Sequence, residues 1–274
     1  MGPSSRALGL LVITAVPAEV AAVIAGFPGG SPVAVGPYRG ERVSTPAGEL
    51  TVLAGGVGPA AAAACAGAAL AVLNPSLVLS VGVAGGFVGR AEVGEIVVAD
   101  RVIHADLGAG SPDRFIPVDE LGFGTAGTVL DPDLVALAAN RIAAVADGND
   151  AAGAGGRWPD QRGGPVRVGA VLTVSTVTGT AARTAELAAR HGATAEAMEG
   201  AGVAAAAAAY GTPVLEIRGV SNPVGPRDRA GWDLPAALSA IERAMAALLA
   251  APLPAPLLLQ LRADCNCLPI GDTR

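Results

Sequence analysis

The chain has 274 residues, a formal net charge of −6, 51% hydrophobic residues and only 15% charged ones. Every basic residue is Arg and no basic patch is interleaved with aromatics, which argues against nucleic-acid binding. Much of the apolar content is alanine, and no run of about 20 strongly apolar residues occurs, which argues against a membrane span.

Elements alternate along the chain. Leu8 to Val16 is expected as a strand; it lacks the length and cleavage context of a signal peptide, so a cytoplasmic protein is expected. Pro17 to Ala25 follows as a helix with Pro at its start. Glu49 to Gly55 is a strand, and Pro59 to Leu73 an alanine-rich helix stopped by Asn74-Pro75. Ser76 to Val83 is a strand apolar on both faces, and Gly94 to Ala105 another. Asp131 to Val145 is a helix, Val166 to Val174 a strand and Ala181 to His191 a helix. Ala193 to Ala197 is a short strand, Met198 to Tyr210 a helix, Pro213 to Val220 a strand and Leu234 to Leu249 a closing helix.

This alternation predicts an α/β fold, a three-layer sandwich with a central mixed β-sheet between helices, over residues 1–250. Ala146 to Pro165, rich in Gly, Asp and Arg, is expected as a loop, and 251–274 as an irregular C-terminal tail. So few charges predict a homo-oligomer, dimer or larger. Of the three cysteines, Cys65 is expected to pack inside a helix. Cys265 and Cys267 form a lone pair without partner ligands, so no metal is expected.

Four blocks carry candidate chemistry. Glu19 follows the first strand. A glycine turn, Val81-Gly82-Val83-Ala84-Gly85-Gly86, is expected to follow another. Ala197-Met198-Glu199-Gly200-Ala201-Gly202 opens a helix with a carboxylate, and the strand Val214 to Val220 delivers Ser221-Asn222 just past its end. In open α/β sheets ligands sit at the carboxyl ends of strands. Each block also has a plain structural use. Glu19 and Glu199 suit helix N-termini by the helix dipole, and Asn222 before Pro223 suits a turn. His104 and His191 suit packing or the surface, and Trp232 a core or lid anchor.

Together the blocks, from Leu8 to Leu249, resemble the nucleoside phosphorylase/nucleosidase superfamily. Within it the stretch Glu216-Ile217-Arg218-Gly219-Val220-Ser221-Asn222-Pro223-Val224-Gly225-Pro226-Arg227-Asp228 is most similar to the futalosine hydrolase family, the purine-removing enzymes of the alternative menaquinone pathway. The resemblance implies roles. Glu19 would position and deprotonate the attacking water, and Glu199, a pure acceptor, would hold two ribose hydroxyls, with Met198 packed beside it. Asn222 stands where adenine-releasing relatives carry Asp, and its amide suits hypoxanthine, a 6-oxopurine. Val83, Ala84 and Gly85 would line the substrate site, and Thr176, Val177 and Thr178 the base pocket. Arg227 or Arg114 would meet the carboxylate on the 5′ side of futalosine. Phosphorylases place Arg in the first loop and Ser in the glycine turn; Glu19 and Val83 here favour water as nucleophile. Thr14 or Ser80 could then help hold that water. No cofactor is implied, and the partner is a small nucleoside. Two alternatives share the fold: another purine nucleosidase of the methylthioadenosine/adenosylhomocysteine type, or a 6-oxopurine nucleoside phosphorylase.

Overall fold

The computed structural model describes residues 9–146 and 166–266. Its first strand, β1 (Gly9–Thr14), shows how the layers arise. Successive strand residues point to opposite faces. Leu10 and Val12 therefore enter one apolar cluster, and Leu11 and Ile13 enter another. Each such fully buried aliphatic side chain stabilises the fold by about 1.5–3 kcal/mol.

The chain continues through α1 (Pro17–Ile24), β2 (Ser31–Val35), β3 (Tyr38–Thr45), β4 (Gly48–Ala54), α2 (Pro59–Leu73), β5 (Leu77–Gly86) and β6 (Ile96–His104). A small hairpin, β7 (Gly108–Gly110) and β8 (Phe115–Pro117), is followed by α3 (Val118–Leu121), β9 (Gly127–Val129) and α4 (Pro132–Ala146). Then come β10 (Val166–Thr173), α5 (Ala181–His191), β11 (Ala195–Ala197), α6 (Gly200–Ala209), β12 (Val214–Pro223), α7 (Leu234–Leu248) and α8 (Ala255–Asn266).

The central sheet runs β11-β10-β6-β12-β5-β1-β4-β3-β2, with β9 added on β6. It is mixed: β5, for example, is parallel to β1 and β12 but antiparallel to β11. That last pairing brings β11 back onto β5 and curls half the sheet shut. Val23 of α1, Ile142 of α4 and Ile241 and Met245 of α7 cover one face. The alanine-rich helices α2 and α6 cover the other with Cys65, Leu70 and Val203. They approach so closely that a Cβ on Gly202 would lie 2.0 Å from the Pro59 carbonyl oxygen. Burial pushes the Cys65 thiol up to about 12, as befits a packing residue. No helix among the described residues is long and apolar enough to cross a membrane.

The structure corrects several sequence expectations. The glycine run Gly82 to Gly86 is the end of strand β5 rather than a turn after it, because β11 and β12 pair with it on both sides. Strand β12 likewise continues past Val220, so Asn222 lies on the strand, beyond a register shift between Val220 and Asn222. Helix α6 begins at Gly200, with Met198 and Glu199 ahead of it. The tail is helical over Ala255–Asn266; Leu253 and Leu258 join the main core, and Arg262 bonds the Asn74 side chain at 2.7 Å. The expected loop after Ala146, residues 147–165, lies outside the described residues, as does Cys267.

Candidate active site

A cavity of about 360 Å³ opens at the carboxyl ends of β1, β5, β10, β11 and β12. Among the described residues its charged lining consists of Glu19, Glu196 and Glu199, with no basic side chain. The remaining wall is mostly apolar and includes Val57, Val83, Ala84, Val174, Val177, Met198 and Val224.

Glu19 reaches the cavity because Pro17 starts α1 directly after β1, which puts the carboxylate in the first helical turn. It is 3% exposed. One oxygen accepts the N–H groups of Ala15 (2.8 Å) and Val16 (3.2 Å), and the other that of Val83 on β5 (2.9 Å). A side chain bonded to two different strand ends in this way has little freedom to move.

Glu199 occupies the N-cap position of α6 but makes no capping bond there. Its carboxylate turns instead to Arg218 (3.1 Å) and to the Gly58 N–H (3.3 Å). Gly58 can present that N–H because it adopts φ +97°, open to glycine and strained for other residues. The Met198 N–H also faces Glu199, at 3.3 Å.

Arg218 was not singled out by the sequence, and it organises this end of the site. It is 1% exposed. Its guanidinium donates to Glu216 (2.8 Å), Glu199 (3.1 Å) and Ser80 (2.8 Å). Burial works against its charge, but the neighbouring Glu216 and Glu199 outweigh this and raise its pKa. Burial also pushes the Glu216 carboxyl up, against the pull of Arg218. Glycine is required at 82, because a Cβ there would come within 2.7 Å of both Arg218 Nη1 and Glu19 Oε1. Glu216 and Arg218 alternate within an apolar strand and so share one face. Two charges two residues apart in a buried strand were the signal that could have found them.

Asn222 lines the cavity, its Oδ1 accepting from the Ser221 hydroxyl (2.8 Å) and its Nδ2 donating to the Pro223 carbonyl (2.9 Å). Glu196, also missed by the sequence reading, lies across from it. It is 5% exposed, and its two oxygens accept from the N–H (2.8 Å) and hydroxyl (2.5 Å) of Thr178. Burial raises its pKa, against the pull of the Thr178 bonds.

The sequence candidates Glu19, Val83, Ala84, Gly85, Val177, Thr178, Met198, Glu199 and Asn222 are thus brought together around one cavity. Thr176 and Arg227 are not among its lining residues. Thr176 is exposed, whereas Val177, itself 42% exposed, and the buried Thr178 border the cavity. Arg227 is exposed and stacks 5.6 Å from the ring of Trp232, which does line the cavity and is 40% exposed, too open for a core residue. Arg114 is held elsewhere by Glu120 at 2.6 Å. Ser80 is taken by Arg218, and the Thr14 hydroxyl by backbone carbonyls. His104 pairs with Asp106, and burial lowers His191 to about 4; neither lines the cavity.

Residues 10–252 match the family model of the phosphorylase superfamily. The futalosine hydrolase of Streptomyces coelicolor is 48% identical over 252 residues, covering 87% of this chain and 94% of the relative. That of Acidothermus cellulolyticus is 45% identical over 249 residues, covering 88% and 90%. Among solved structures, the 5′-methylthioadenosine/S-adenosylhomocysteine nucleosidase of Neisseria meningitidis in complex with methylthio-immucillin-A has a TM-score of 0.71. It covers 88% of this chain and 98% of its own, and at 18% identity the likeness is one of fold.

Removing one partner of a buried ion pair strands the other charge and typically costs about 3–5 kcal/mol. Arg218→Met, which keeps the bulk, is expected to lose that much in denaturant unfolding. Glu216→Gln, which leaves the Arg218–Glu199 pair intact, is expected to lose clearly less. Equal and small losses in both would remove Arg218 from the centre of the network.

Proposed function

The chain belongs to the futalosine hydrolase family of the phosphorylase superfamily, and on that footing we propose that it cleaves the N-glycosidic bond of futalosine with water, releasing hypoxanthine and dehypoxanthine futalosine on the alternative route to menaquinone. The observation that carries the hydrolytic reading is the charge of the cavity wall: three carboxylates and, among the described residues, no basic side chain. A phosphate nucleophile would face the negative charge of that wall. The Val83 N–H that could serve an anion is already taken by Glu19.

In this mechanism Glu19, fixed by three backbone N–H groups, accepts a proton from the attacking water. The water oxygen bonds to the sugar carbon as the bond to the purine nitrogen breaks, through an oxocarbenium-like transition state. Glu199 accepts hydrogen bonds from the ribose hydroxyls, its far side anchored by Arg218. The departing purine takes the electron pair and then a proton from solvent, and Glu19 returns the proton it took to solvent. Asn222 steadies it with the amide N–H that Pro223 leaves unused. Loss of such a donor typically raises a barrier by about 2.7–4 kcal/mol. Arg227, beside Trp232 at the rim, is the proposed contact for the carboxylate on the 5′ side. No cofactor enters the scheme.

A homo-oligomeric working state, dimer or larger, and a cytoplasmic setting belong to the same proposal. Exposed apolar residues around the mouth, Val57 (57% exposed) and Leu234 (46%) among them, support the oligomer. Sedimentation of the active enzyme as a monomer would end that part of it.

The test of the reaction is hypoxanthine release from futalosine in phosphate-free buffer. Full turnover and a free sugar hydroxyl are expected; phosphate-dependent turnover with a sugar 1-phosphate product would exclude hydrolysis. Asn222→Asp tests base choice by setting a carboxylate against the purine carbonyl. The wild type should favour futalosine over its 6-amino counterpart in kcat/KM by about 10⁴-fold or more, and Asn222→Asp should narrow that gap. An unchanged ratio would place base selection elsewhere.

A further inference from the structure

We infer that Glu196 is a second specificity-determining residue, accepting the ring N–H of a 6-oxopurine seated over Gly85 and facing Asn222. This rests on the hydrolase reading above and deepens it.

Both residues are in register with the same residue of β5. Glu196 pairs with Gly85 across the antiparallel β11–β5 contact, and Asn222 pairs with Gly85 across the parallel β12–β5 contact. With neighbouring strands about 4.8 Å apart, the two backbones stand about 10 Å from each other, one on each side of Gly85. Both side chains line the cavity, so both rise on its side of the sheet. Gly85 and Val224 both line the cavity between them. A Cβ on Gly85 would come 2.9 Å from Val224 and 3.2 Å from Asn222 Nδ2.

The surroundings of Glu196 suit an acceptor. Its neighbours in the cavity wall include Val174, Val177 and Val224. Among the described residues its hydrogen-bond partners come from Thr178, and the Thr178 N–H fixes Oε1 as an acceptor. Each carboxylate oxygen has two lone-pair directions, so acceptor capacity remains. Burying a carboxylate without a full set of donors is costly, and burial does raise its pKa. A clamp on the Thr178 segment would not need a carboxylate inside the cavity. A donor arriving with the ligand accounts for one.

A 6-oxopurine carries N–H at ring position 1 and a carbonyl beside it; a 6-aminopurine carries a lone pair and an amine. Glu196 as acceptor and Asn222 as donor complement the first and oppose the second.

Two measurements test this. In the wild type, hypoxanthine should bind at least about tenfold more tightly than 1-methylhypoxanthine, which lacks the N–H. In Glu196→Gln, whose amide can donate to a ring lone pair, kcat/KM for futalosine should fall about 10- to 100-fold. The value for the 6-amino counterpart should hold or rise. A residue with a merely structural role would lower both in parallel. Equal binding of the two bases to the wild type, or parallel losses in Glu196→Gln, overturns the assignment to Glu196 alone. A wild type that releases no hypoxanthine from futalosine overturns the activity beneath it as well.

Discussion

Arg218 is buried beside Glu216 and Glu199 and within electrostatic reach of Glu19, and the geometry of the site follows from satisfying that one guanidinium. Buried ion pairs seldom stabilise a fold more than apolar packing of equal volume would, because desolvation offsets their attraction. Their effect is positional. The Arg218 donors go to Glu199, Glu216 and Ser80, so Glu199 cannot swing away to cap its own helix. Gly82 stays bare because Arg218 and Glu19 meet above it. Glu199 is thus aimed by a buried cation that does not itself line the cavity.

The same network explains how one cavity wall can carry several buried acids. The guanidinium offsets part of the negative charge from beneath, while apolar residues such as Val83, Val174 and Met198 form the walls. Charge is thereby concentrated at the strand ends that line the cavity. The exposed apolar residues and the Arg227–Trp232 pair lie further out, at the rim. The buried carboxylates sit on or beside paired strand ends, and the rim is built from connecting segments, which tolerate change better.

Much of this was legible in the sequence, for identifiable reasons. Strands such as β1 and β5 are apolar on both faces, and α2 and α6 are runs of small residues, so each stood out. Glu199 and Asn222 were visible because each breaks a strong local pattern. Arg218, Glu216 and Glu196 were hidden by the opposite circumstance: they lie inside apolar strands, where their partners come from residues distant in the chain, such as Ser80 and Thr178. The β2–β3 hairpin escaped because it is half solvated and lacks a clean alternation, although Gly36-Pro37 marks its turn. Arg227 fits the sequence pattern but extends outward, which only the path of the chain after β12 decides.

The closure of β11 onto β5 has a consequence for the behaviour of the folded chain in crowded solution. An open sheet edge offers unpaired backbone groups to any passing strand and is a seed for aggregation. At the site end this sheet returns onto itself, so the strands bearing Glu196 and Asn222 are paired on both sides within the same molecule. The sheet's other end is β2, a strand of five residues carrying Pro32, which cannot donate to a new partner. A chain with so few charges has little electrostatic repulsion with which to stay dispersed, and these two devices guard its sheet by geometry instead.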